Sequence, residues 1–522
     1  MNHLTMDKIG RKEIFILILC IFIGFALRFY TFDKKSLWLN EVYTLGESKY
    51  ELKDQFIHYK ENPTYLVQPP LFYLLTHLFY PFTKPERDLR IIPLIFGTLS
   101  IPMIYLLSRL FSPPIALPCT LSLTFMVYHI SVSQDGRSYS LLLFLGTSGL
   151  YFLMKQIKTS RKRYLIPAAI CFALSFYTSF AFTPFIALFQ ILWLYQTNEE
   201  TKKPIFTSFL LFNGLLLLLC FSSILYAALT YKGQPIIGSL RKDGGLGSFW
   251  SITYNVLRDW TPNTPVLILS TLLLILLPFF SKIKKNALIL LVFFVVPIGG
   301  IYLFCKLFDI PHFITSRYLI NLLPIFLIAI YLSLYNIESR FGRLKRFLRL
   351  KTFFIILFVA SNLVILPFYY RAEKQNFRGL VTYLKNQIRE GDKIYVISES
   401  YMPGILHYFG IYPEGRKYVA TPWKDSENRI GFKISFPYQN KMFTIYQSKG
   451  CCIQYVEDGS RLWIITPKGM AKKIKNDSPC ILKGYFDGSF LNFSSFPVDA
   501  SLYLFLWDPK STGEKGIDLP IE

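Results

Sequence analysis

The stretch between Ser36 and Thr44 combines groups that could do chemistry with a frame of aromatic and aliphatic side chains. It reads SLWLNEVYT, so that Asn40 and Glu41 lie side by side. The stretch comes soon after the first long apolar segment, where a chain that leaves a bilayer meets water. Because an ionisable group in such a place is costly, Glu41 is a candidate functional residue.

A second set of such groups occurs in the sequence SQDGRSY, residues 133–139. Asp135 and Arg137 are two residues apart and lie between two apolar segments, which hold both side chains near the membrane surface. Asp135 anchors nothing in a bilayer, so a functional role is favoured over a structural one. Either Asp135 or Glu41 could act as a general base on an acceptor hydroxyl.

Arginines at the ends of apolar segments could hold a phosphate through charge-assisted, often bidentate hydrogen bonds. Arg317 precedes Tyr318 at the entrance to one such segment, Arg28 ends the first and Arg90 opens the second. Arg28 and Arg90 are the weaker candidates, because arginines at helix ends often only snorkel to the interface.

The elements that must position these groups are apolar helices. Of the 522 residues, 52% are hydrophobic and 17% are charged, and the charges are gathered into short runs. Segments such as Ile14–Leu27, Leu210–Thr230 and Leu267–Phe280 approach the roughly 20 apolar residues that cross a bilayer. The chain is therefore predicted to be an α-helical polytopic membrane protein with about eleven transmembrane helices.

The basic residues, which give a net charge of +24, lie mainly between the apolar segments. This placement indicates membrane topology and argues against nucleic acid as a partner. If the N-terminus is cytoplasmic, the connecting segments on that side are Lys155–Arg163, Thr197–Pro204, Ser281–Lys285 and Glu338–Lys351. The first, third and fourth are strongly basic, as the positive-inside rule requires.

The same assignment places the chemically interesting segments together on the outer side. These segments are Thr31–Arg90, Ser131–Ser138, Tyr231–Asn263 and Asp309–Arg317. The third contains the run KDGGLG, which is mobile by composition and could close over a bound substrate.

The composition becomes that of a soluble protein after the last apolar segment. Residues 1–370 are therefore predicted to form a transmembrane domain, and residues 371–522 a small extracytoplasmic α/β domain. Within it the sequence predicts helices at Phe377–Gln387 and Pro403–Phe409, and strands at Lys393–Ser398, Arg461–Thr466 and Ala500–Trp507. Cys480 could pair with Cys451 or Cys452 in an oxidising compartment, or all three could be buried thiols.

Five short motifs in this order resemble those of the GT-C superfamily of integral-membrane glycosyltransferases. They are Leu27-Arg28 with SLWLNEV at 36–42, QPPLFY at 68–73, Arg90, SQDGRSY at 133–139, and Arg317-Tyr318-Leu319. The likeness covers roughly residues 14–335. It is greatest to the bacterial branch that contains the aminoarabinose transferase of lipid A and relatives of protein O-mannosyltransferases.

The resemblance implies an inverting transfer of a sugar from a polyprenyl-phosphate donor to an envelope glycan, glycolipid or protein. Asp135 or Glu41 would be the base and Asn40 would orient the acceptor, while Arg137 and Arg317 would clamp the phosphate. The other residues expected to bind substrate are Arg28, Gln68, Arg90, Tyr139 and Tyr318. The enzyme would work at the outer face of a bacterial inner membrane, in a pathway such as lipopolysaccharide biosynthesis.

Three departures from the family pattern leave alternatives open. Asn40 stands where the family usually has Asp, and Gln68 stands where His is usual. Tyr177-Thr178-Ser179 stands where many relatives have Thr-His-Tyr. A non-catalytic or weakened relative that binds lipid-linked sugar is one alternative, and a lipid-linked glycan transporter is another. Glu41 and Asp135 could share a divalent metal ion with waters, but their spacing does not demand one.

Overall fold

The computed structural model describes residues 9–51, 53–54, 69–196, 202–230, 248–280, 284–307, 315–340, 349–412, 419–424, 430–439, 441–447, 459–488, 500–510 and 515–521. The region up to residue 371 is helical. Its α-helices are α1 (Arg11–Phe29), α2 (Leu39–Ser48), α3 (Leu71–His77), α4 (Pro85–Asp88), α5 (Ile91–Phe111), α6 (Ala116–Phe125), α7 (Val127–Ser133), α8 (Tyr139–Thr159), α9 (Leu165–Thr178), α10 (Thr183–Phe189), α11 (Lys202–Thr230), α12 (Phe249–Trp260), α13 (Thr264–Phe280), α14 (Lys284–Leu307), α15 (Leu323–Arg340) and α16 (Leu350–Arg371).

The apolar helices identify a multi-pass membrane protein. Within the described residues, five helices are long and apolar enough to cross a membrane, or seven if each of two bent pairs counts as one span. The predicted number of eleven is therefore not confirmed. Helix α9, for example, has only 14 residues, and α1 carries charges at both ends. Large apolar side chains such as Phe22 (71% exposed) and Leu218 (72% exposed) point outward, as expected of a surface that faces lipid.

The apolar segment at residues 115–132 is broken at Met126. Helices α6 and α7 meet there at an angle of 61°. The break frees backbone groups, and the N–H of Val127 donates to Oδ1 of Asn362 on α16 at 2.9 Å. A polar side chain from a neighbouring helix thus satisfies the kinked backbone, which is how such breaks are tolerated inside a bilayer. The tilted α7 then leads into the polar turn at 134–138.

The segment Tyr231–Asn263, predicted as a mobile loop, contains helix α12. Residues 231–247 lie outside the described part of the chain. Helix α12 buries Ile252, Val256 and Trp260 on one face, while Trp250 is 76% exposed. It turns by 117° into α13. An amphipathic helix of this kind, set across a membrane helix, is suited to the membrane surface.

A sheet domain with three helices follows α16. The helices are α17 (Phe377–Gln387), α18 (Met402–Tyr408) and α19 (Lys468–Asp477). The strands are β1 (Lys393–Val396), β2 (Val419–Lys424), β3 (Ile430–Tyr438), β4 (Lys441–Gln447), β5 (Leu462–Pro467), β6 (Ile481–Phe486) and β7 (Leu502–Trp507). The predicted helices correspond to α17 and α18, and the predicted strands to β1, β5 and β7, within a few residues. Cys451 and Cys452 lie outside the described residues.

The seven strands form one mixed sheet in the order β2-β3-β4-β1-β5-β7-β6. Strand β1 is parallel to both of its neighbours, with Ile394 opposite Ile445 on β4 and opposite Trp463 on β5. The other pairs are antiparallel. Apolar side chains of α17 and α18 pack on one face of the sheet, and those of α19 pack on the other. The central strands are therefore buried on both faces, which explains their continuous apolar runs.

Candidate active site

Four segments distant in the sequence meet at one end of the helices. They are the beginning of α2 with the turn before it, the turn 134–138, the segment 315–318 before α15, and residues 373–375 after α16. The topology prediction placed all four on the outer face. The fourth follows directly from α16, at the start of the C-terminal region that was predicted to be extracytoplasmic.

The buried ion pair between Glu41 and Arg90 fastens these segments together. Glu41 is fully buried, and Arg90 is 1% exposed. Arg90 binds the carboxylate with two hydrogen bonds, from Nε to Oε1 at 2.7 Å and from Nη2 to Oε2 at 2.6 Å. The N–H of Gly136 donates to Oε1 at 2.7 Å, and that of Trp38 to Oε2 at 3.3 Å. Glu41 therefore joins α2 to the turn that carries Asp135.

The environment of Glu41 keeps it ionised. Burial by itself would raise the pKa of this carboxyl, but Arg90 and the N–H of Gly136 outweigh burial and hold the pKa below its ordinary value. Both oxygens already accept two hydrogen bonds. This geometry favours a positioning role for Glu41 over the role of general base.

Arg90 likewise makes all its hydrogen bonds within the protein. Besides Glu41, its guanidinium donates to the carbonyls of Phe32 (2.9 Å), Lys35 (3.0 Å) and Ser36 (3.1 Å). All five of its N–H groups are used in this way. The expectation that Arg90 binds a substrate phosphate is therefore not supported, because no donor is left for it.

Arg28 lies apart from this cluster and binds the end of α6, next to the break at Met126. It is fully buried and donates to the carbonyls of Leu123 (2.9 Å) and Gly24 (2.8 Å), with Nδ1 of His129 at 2.6 Å. The C-terminal end of α6 carries partial negative charge, which stabilises a cation placed there. Arg28 thus caps α6 at its break, and this geometry favours a structural role over the substrate contact expected from the sequence.

Asp135 has one carboxylate oxygen that accepts no hydrogen bond from the described residues. Its side chain is fully buried, and Oδ1 accepts a hydrogen bond from Nε1 of Trp38 at 2.8 Å. Nζ of Lys374 lies 3.3 Å from the same oxygen. Within the described part of the chain, Oδ2 has no hydrogen-bond partner. A buried acceptor without a donor is costly, so this oxygen is set to receive a proton or a hydrogen bond from a ligand.

The guanidinium of Arg137 donates hydrogen bonds through Nη1, whereas its Nε has no acceptor among the described residues. Nη1 donates to Oγ1 of Thr44 at 3.0 Å and to the carbonyl of Asn40 at 3.3 Å. The side chains of Tyr73 and Tyr139 lie close enough to hydrogen-bond the guanidinium. Among the described residues, no acceptor binds the buried Nε. Arg137 is thus held in place with a donor to spare.

Arg317 is surrounded by aromatic rings. Its guanidinium carbon lies 5.9 Å from the ring centroid of Trp38, 5.8 Å from that of Tyr139 and 5.4 Å from that of Tyr318. These contacts hold the cation without using its N–H groups. Nε and Nη1 are buried and, in the part of the chain that the structure describes, have no hydrogen-bond partner. Unsatisfied cationic donors in such a setting favour an anionic ligand.

A buried hydrogen-bond network supports the segment before α15. Ser316 donates to Oδ2 of Asp259 at 2.5 Å, and its hydroxyl lies 2.8 Å from that of Tyr128. Asp259 and Tyr128 also line a cavity of about 350 Å³ between α7, α12, α13 and α16. The remaining lining includes Trp260, Leu267 and other apolar side chains. Ser316, the neighbour of Arg317 in the chain, thus contacts two polar residues that line this amphipathic cavity.

The site does not suit the divalent ion that Glu41 and Asp135 could share. The oxygens of Glu41 are engaged by Arg90, Gly136 and Trp38. The neighbourhood of Asp135 already contains the cation of Lys374. Among the described residues, no group of three or more His, Cys, Asp or Glu side chains could hold a metal. The residues present therefore do not fit a divalent ion shared by Glu41 and Asp135.

The sequence located most of these groups but did not assign their partners. Asn40 is half-buried beside Arg137, whereas Gln68 lies outside the described residues. Lys374, Asp259 and Trp38 were not among the predicted site residues. Trp38 could have been found from its place two residues before Asn40. Nothing in the spacing of the sequence points to Lys374.

The fold and the site together define a class of protein. It is a multi-pass membrane protein with a buried carboxylate at one end of its helices, beside arginines whose buried N–H groups have no hydrogen-bond partner among the described residues. Residues 67–226 match a family model described as dolichyl-phosphate-mannose-protein mannosyltransferase. A search of curated protein sequences finds no match to this chain.

Solved structures of low sequence identity share the fold over nearly the whole chain. The crystal structure of ArnT from Cupriavidus metallidurans in the apo state is 9% identical and has a TM-score of 0.54. That match covers 94% of this chain and 97% of the other. For the same protein bound to undecaprenyl phosphate, the identity is 10%, the TM-score is 0.53, and 95% and 99% of the two chains are covered. The family model thus matches one part of the chain, and the chain shares its fold with ArnT.

Proposed function

We propose that this protein transfers a sugar from a polyprenyl-phosphate donor to an acceptor hydroxyl, with inversion at the anomeric carbon. The observation that carries the proposal is a buried oxygen of Asp135 that has no hydrogen-bond partner among the described residues, beside buried donors of Arg137 and Arg317 that also have none there. The first can accept a proton and the others can bind a phosphate. The occurrence of undecaprenyl phosphate in the ArnT structure supports the same class of donor.

In the proposed reaction, Oδ2 of Asp135 takes the proton of the acceptor hydroxyl. The acceptor oxygen attacks the anomeric carbon from the face opposite the phosphate, and the bond between that carbon and the phosphate oxygen breaks. The bonding electrons stay on the polyprenyl phosphate, which leaves. Attack from the opposite face accounts for inversion, and a single carboxylate is sufficient for the step.

Charge complementarity favours the later part of this reaction. A polyprenyl-phosphate sugar is a phosphodiester with one negative charge, whereas the departing phosphate monoester gains a second. Arg137 and Arg317 therefore interact more strongly with the transition state and the leaving group than with the bound donor. Interactions that strengthen in this way accelerate the chemical step.

The outer membrane face is the proposed location of the site, as part of a bacterial inner-membrane enzyme of the cell envelope. The basic segment Lys155–Arg163 begins at the end of α8 that is opposite Tyr139, which lies in the site. Basic segments mark the cytoplasmic side. On this topology the sheet domain is extracytoplasmic, and the cavity beside Ser316 would receive the first units of the lipid chain.

The direct test is sugar transfer by the purified protein, reconstituted in lipid, from a panel of polyprenyl-phosphate sugars. Formation of a glycosylated acceptor and of polyprenyl phosphate in equal amounts is the expected result. Binding of the donors without any release of polyprenyl phosphate would instead support a non-catalytic relative. Absence of both binding and transfer across the panel would contradict the proposal.

Replacement of Arg317 by lysine is expected to weaken donor binding by about tenfold or more, because lysine keeps the charge but loses the planar fork and the aromatic stacking. The measurement is the KM for the donor in the wild type and the variant. Arg161→Lys, at an exposed position on the predicted cytoplasmic side, is the matched control. Equal KM values for Arg317→Lys and the control would remove Arg317 from the phosphate site.

Glu47 is expected to make phosphate binding depend on pH. Burial raises the pKa of this carboxyl to about 7, although Lys49 and Arg137 act in the opposite direction. Because the folded protein favours the protonated form, ionisation above the usual pKa of 4.5 also lowers stability as the pH rises towards 7. Ionised Glu47 places negative charge near Arg137, so undecaprenyl phosphate should bind a few times more weakly as the pH passes about 7.

The matched comparison for Glu47 is the Glu47→Gln variant, measured over the same pH range. Titration of the lipid phosphate itself affects both proteins equally, so only the difference between their dissociation constants is used. The wild type should lose affinity relative to Glu47→Gln as the pH rises. Parallel curves for the two proteins would show that Glu47 does not titrate in this range or does not affect Arg137.

A further inference from the structure

Three consecutive residues after α16 lie along the first loop, which is formed by residues 30–38 between α1 and α2, and along the start of α2. The N–H of Ser36 donates to Oε2 of Glu373 at 3.0 Å. The N–H of Leu39 donates to Oε1 of Gln375 at 2.9 Å. The residue between them, Lys374, is therefore held at a fixed position beside the first turn of α2, which contains Asn40.

The side chain of Lys374 points into the site. It is only 3% exposed, and its Nζ lies 3.3 Å from Oδ1 of Asp135 and 5.6 Å from the ring centroid of Trp38. The same indole ring lies 5.9 Å from the guanidinium of Arg317 and donates to Asp135 through Nε1. Trp38 thus has two cations near its ring and the carboxylate at its edge.

A buried lysine at this point is unfavourable if its only role is to neutralise Asp135. Burying an ammonium group costs several kcal/mol before pairing, and apolar packing generally stabilises a core at least as well as a buried ion pair. Lysine also has three donors that can rotate, so it can retain one acceptor while it binds another. These properties suit a group that meets a second anion during the reaction.

We propose that Lys374 is a third phosphate-binding cation of this site, and that it binds the polyprenyl phosphate as that group leaves. This inference rests on the proposed function and extends it to a residue outside the matched motifs. With Lys374, three cations lie around Asp135, since Arg137 is in the same turn and Arg317 lies against Trp38, which donates to the carboxylate. Asp135 takes the acceptor proton in the proposed reaction, so the departing phosphate dianion becomes the main negative charge among these cations.

The sheet domain takes part in this arrangement because it holds the first loop from the other side. The hydroxyl of Tyr408 on α18 accepts from the N–H of Leu37 at 2.8 Å and donates to Glu86 at 2.8 Å. Arg378 on α17 also donates to Glu86, at 2.8 Å. Docking of the domain therefore fixes the distance between Lys374 and Asp135, and phosphate binding depends on both regions of the chain.

The test measures binding of undecaprenyl phosphate to the full-length protein in detergent. Lys374→Gln is expected to weaken binding by about ten- to a hundredfold, and Lys374→Arg by much less. Lys472→Gln, the same change at an exposed position on α19, is the matched control and should bind as the wild type does. A melting curve for each variant reports on folding.

A second variant separates phosphate binding from the pairing of two buried charges. In Lys374→Gln combined with Asp135→Asn, no buried carboxylate is left unpaired, so a purely structural lysine would no longer be missed. The double variant should still bind undecaprenyl phosphate more weakly than Asp135→Asn alone. Equal binding by these two proteins would overturn the inference, whereas absence of binding by the wild type would overturn the proposed function as well.

Discussion

Replacement of Asp135 by asparagine is expected to lower the turnover number by about 10²–10⁴-fold, the usual contribution of a general base. The amide keeps the shape of the side chain, and its oxygen can still accept from Nε1 of Trp38, which bonds Oδ1 at 2.8 Å in the wild type. It cannot take a proton from an acceptor hydroxyl. The loss should therefore appear in the turnover number, measured by release of polyprenyl phosphate under saturating donor.

Binding separates this effect from general damage to the site. Removal of one negative charge leaves Arg137, Arg317 and Lys374 in place, so undecaprenyl phosphate should bind to Asp135→Asn at least as tightly as to the wild type. Asp33→Asn is the matched control, since Asp33 is exposed in the segment between α1 and α2. A turnover number within a few fold of the wild type would exclude Asp135 as the base. Loss of binding and turnover together would indicate a structural role instead.

Replacement of Glu41 by glutamine is expected to destabilise the protein by about 3–5 kcal/mol, because it leaves the buried charge of Arg90 without its partner. Arg90 is 1% exposed and donates to both oxygens of Glu41. The loss should appear as a lower melting temperature in detergent. Activity should fall with it, since Glu41 also holds the N–H of Gly136 next to Asp135.

The matched control for Glu41 is Asp518→Asn, which removes one partner of an ion pair with Lys475. The side chain of Asp518 is fully exposed and that of Lys475 is 34% exposed, and pairs of this kind contribute about 0–1 kcal/mol. Glu41→Gln combined with Arg90→Gln should be less destabilised than the sum of the two single variants, because no unpaired charge is buried. Strict additivity, or a Glu41→Gln protein as stable as the control, would contradict the buried ion pair.

The pH dependence of stability gives an independent check on Glu41. Its folded-state pKa lies below the ordinary value of 4.5 because Arg90 overcomes the effect of burial. A lowered pKa contributes stability above the unfolded pKa, and this contribution is lost as the pH falls through the folded value. The wild type should therefore lose part of its stability in acid, and Glu41→Gln should lack that component. Measurements of the melting temperature between about pH 3 and pH 7 distinguish the two.

The sequence was sufficient for properties that depend on short stretches of chain. Long apolar segments identify membrane helices because a bilayer has a fixed thickness. Apolar residues at positions 377, 380, 381 and 384 predict helix α17, whose cap is formed by Asn376. Strands β5 and β7 were found for a similar reason, since both are short apolar runs. Strands β2 and β3 were missed because lysine and proline interrupt their patterns, and pairing with neighbouring strands stabilises them.

The position of the break at Met126 could not be found in the same way. The sequence around it is apolar and continuous, so it predicts one uninterrupted span. The break depends on Asn362 and Arg28, which come from two other helices and satisfy the freed backbone groups. The angle at which α7 delivers the turn with Asp135 follows from those distant contacts.

By itself, the sequence determined that this is a membrane protein with acids and arginines gathered at one end of its helices, and it named both carboxylates as equal candidates. Only the tertiary structure distinguished them. Arg90 and two backbone N–H groups bind both oxygens of Glu41, whereas one oxygen of Asp135, beside Arg137, Arg317 and Lys374, has no hydrogen-bond partner among the described residues. The physical reason is that the role of a carboxylate is set by the charges and donors around it. Those neighbours come from segments that are far apart in the chain.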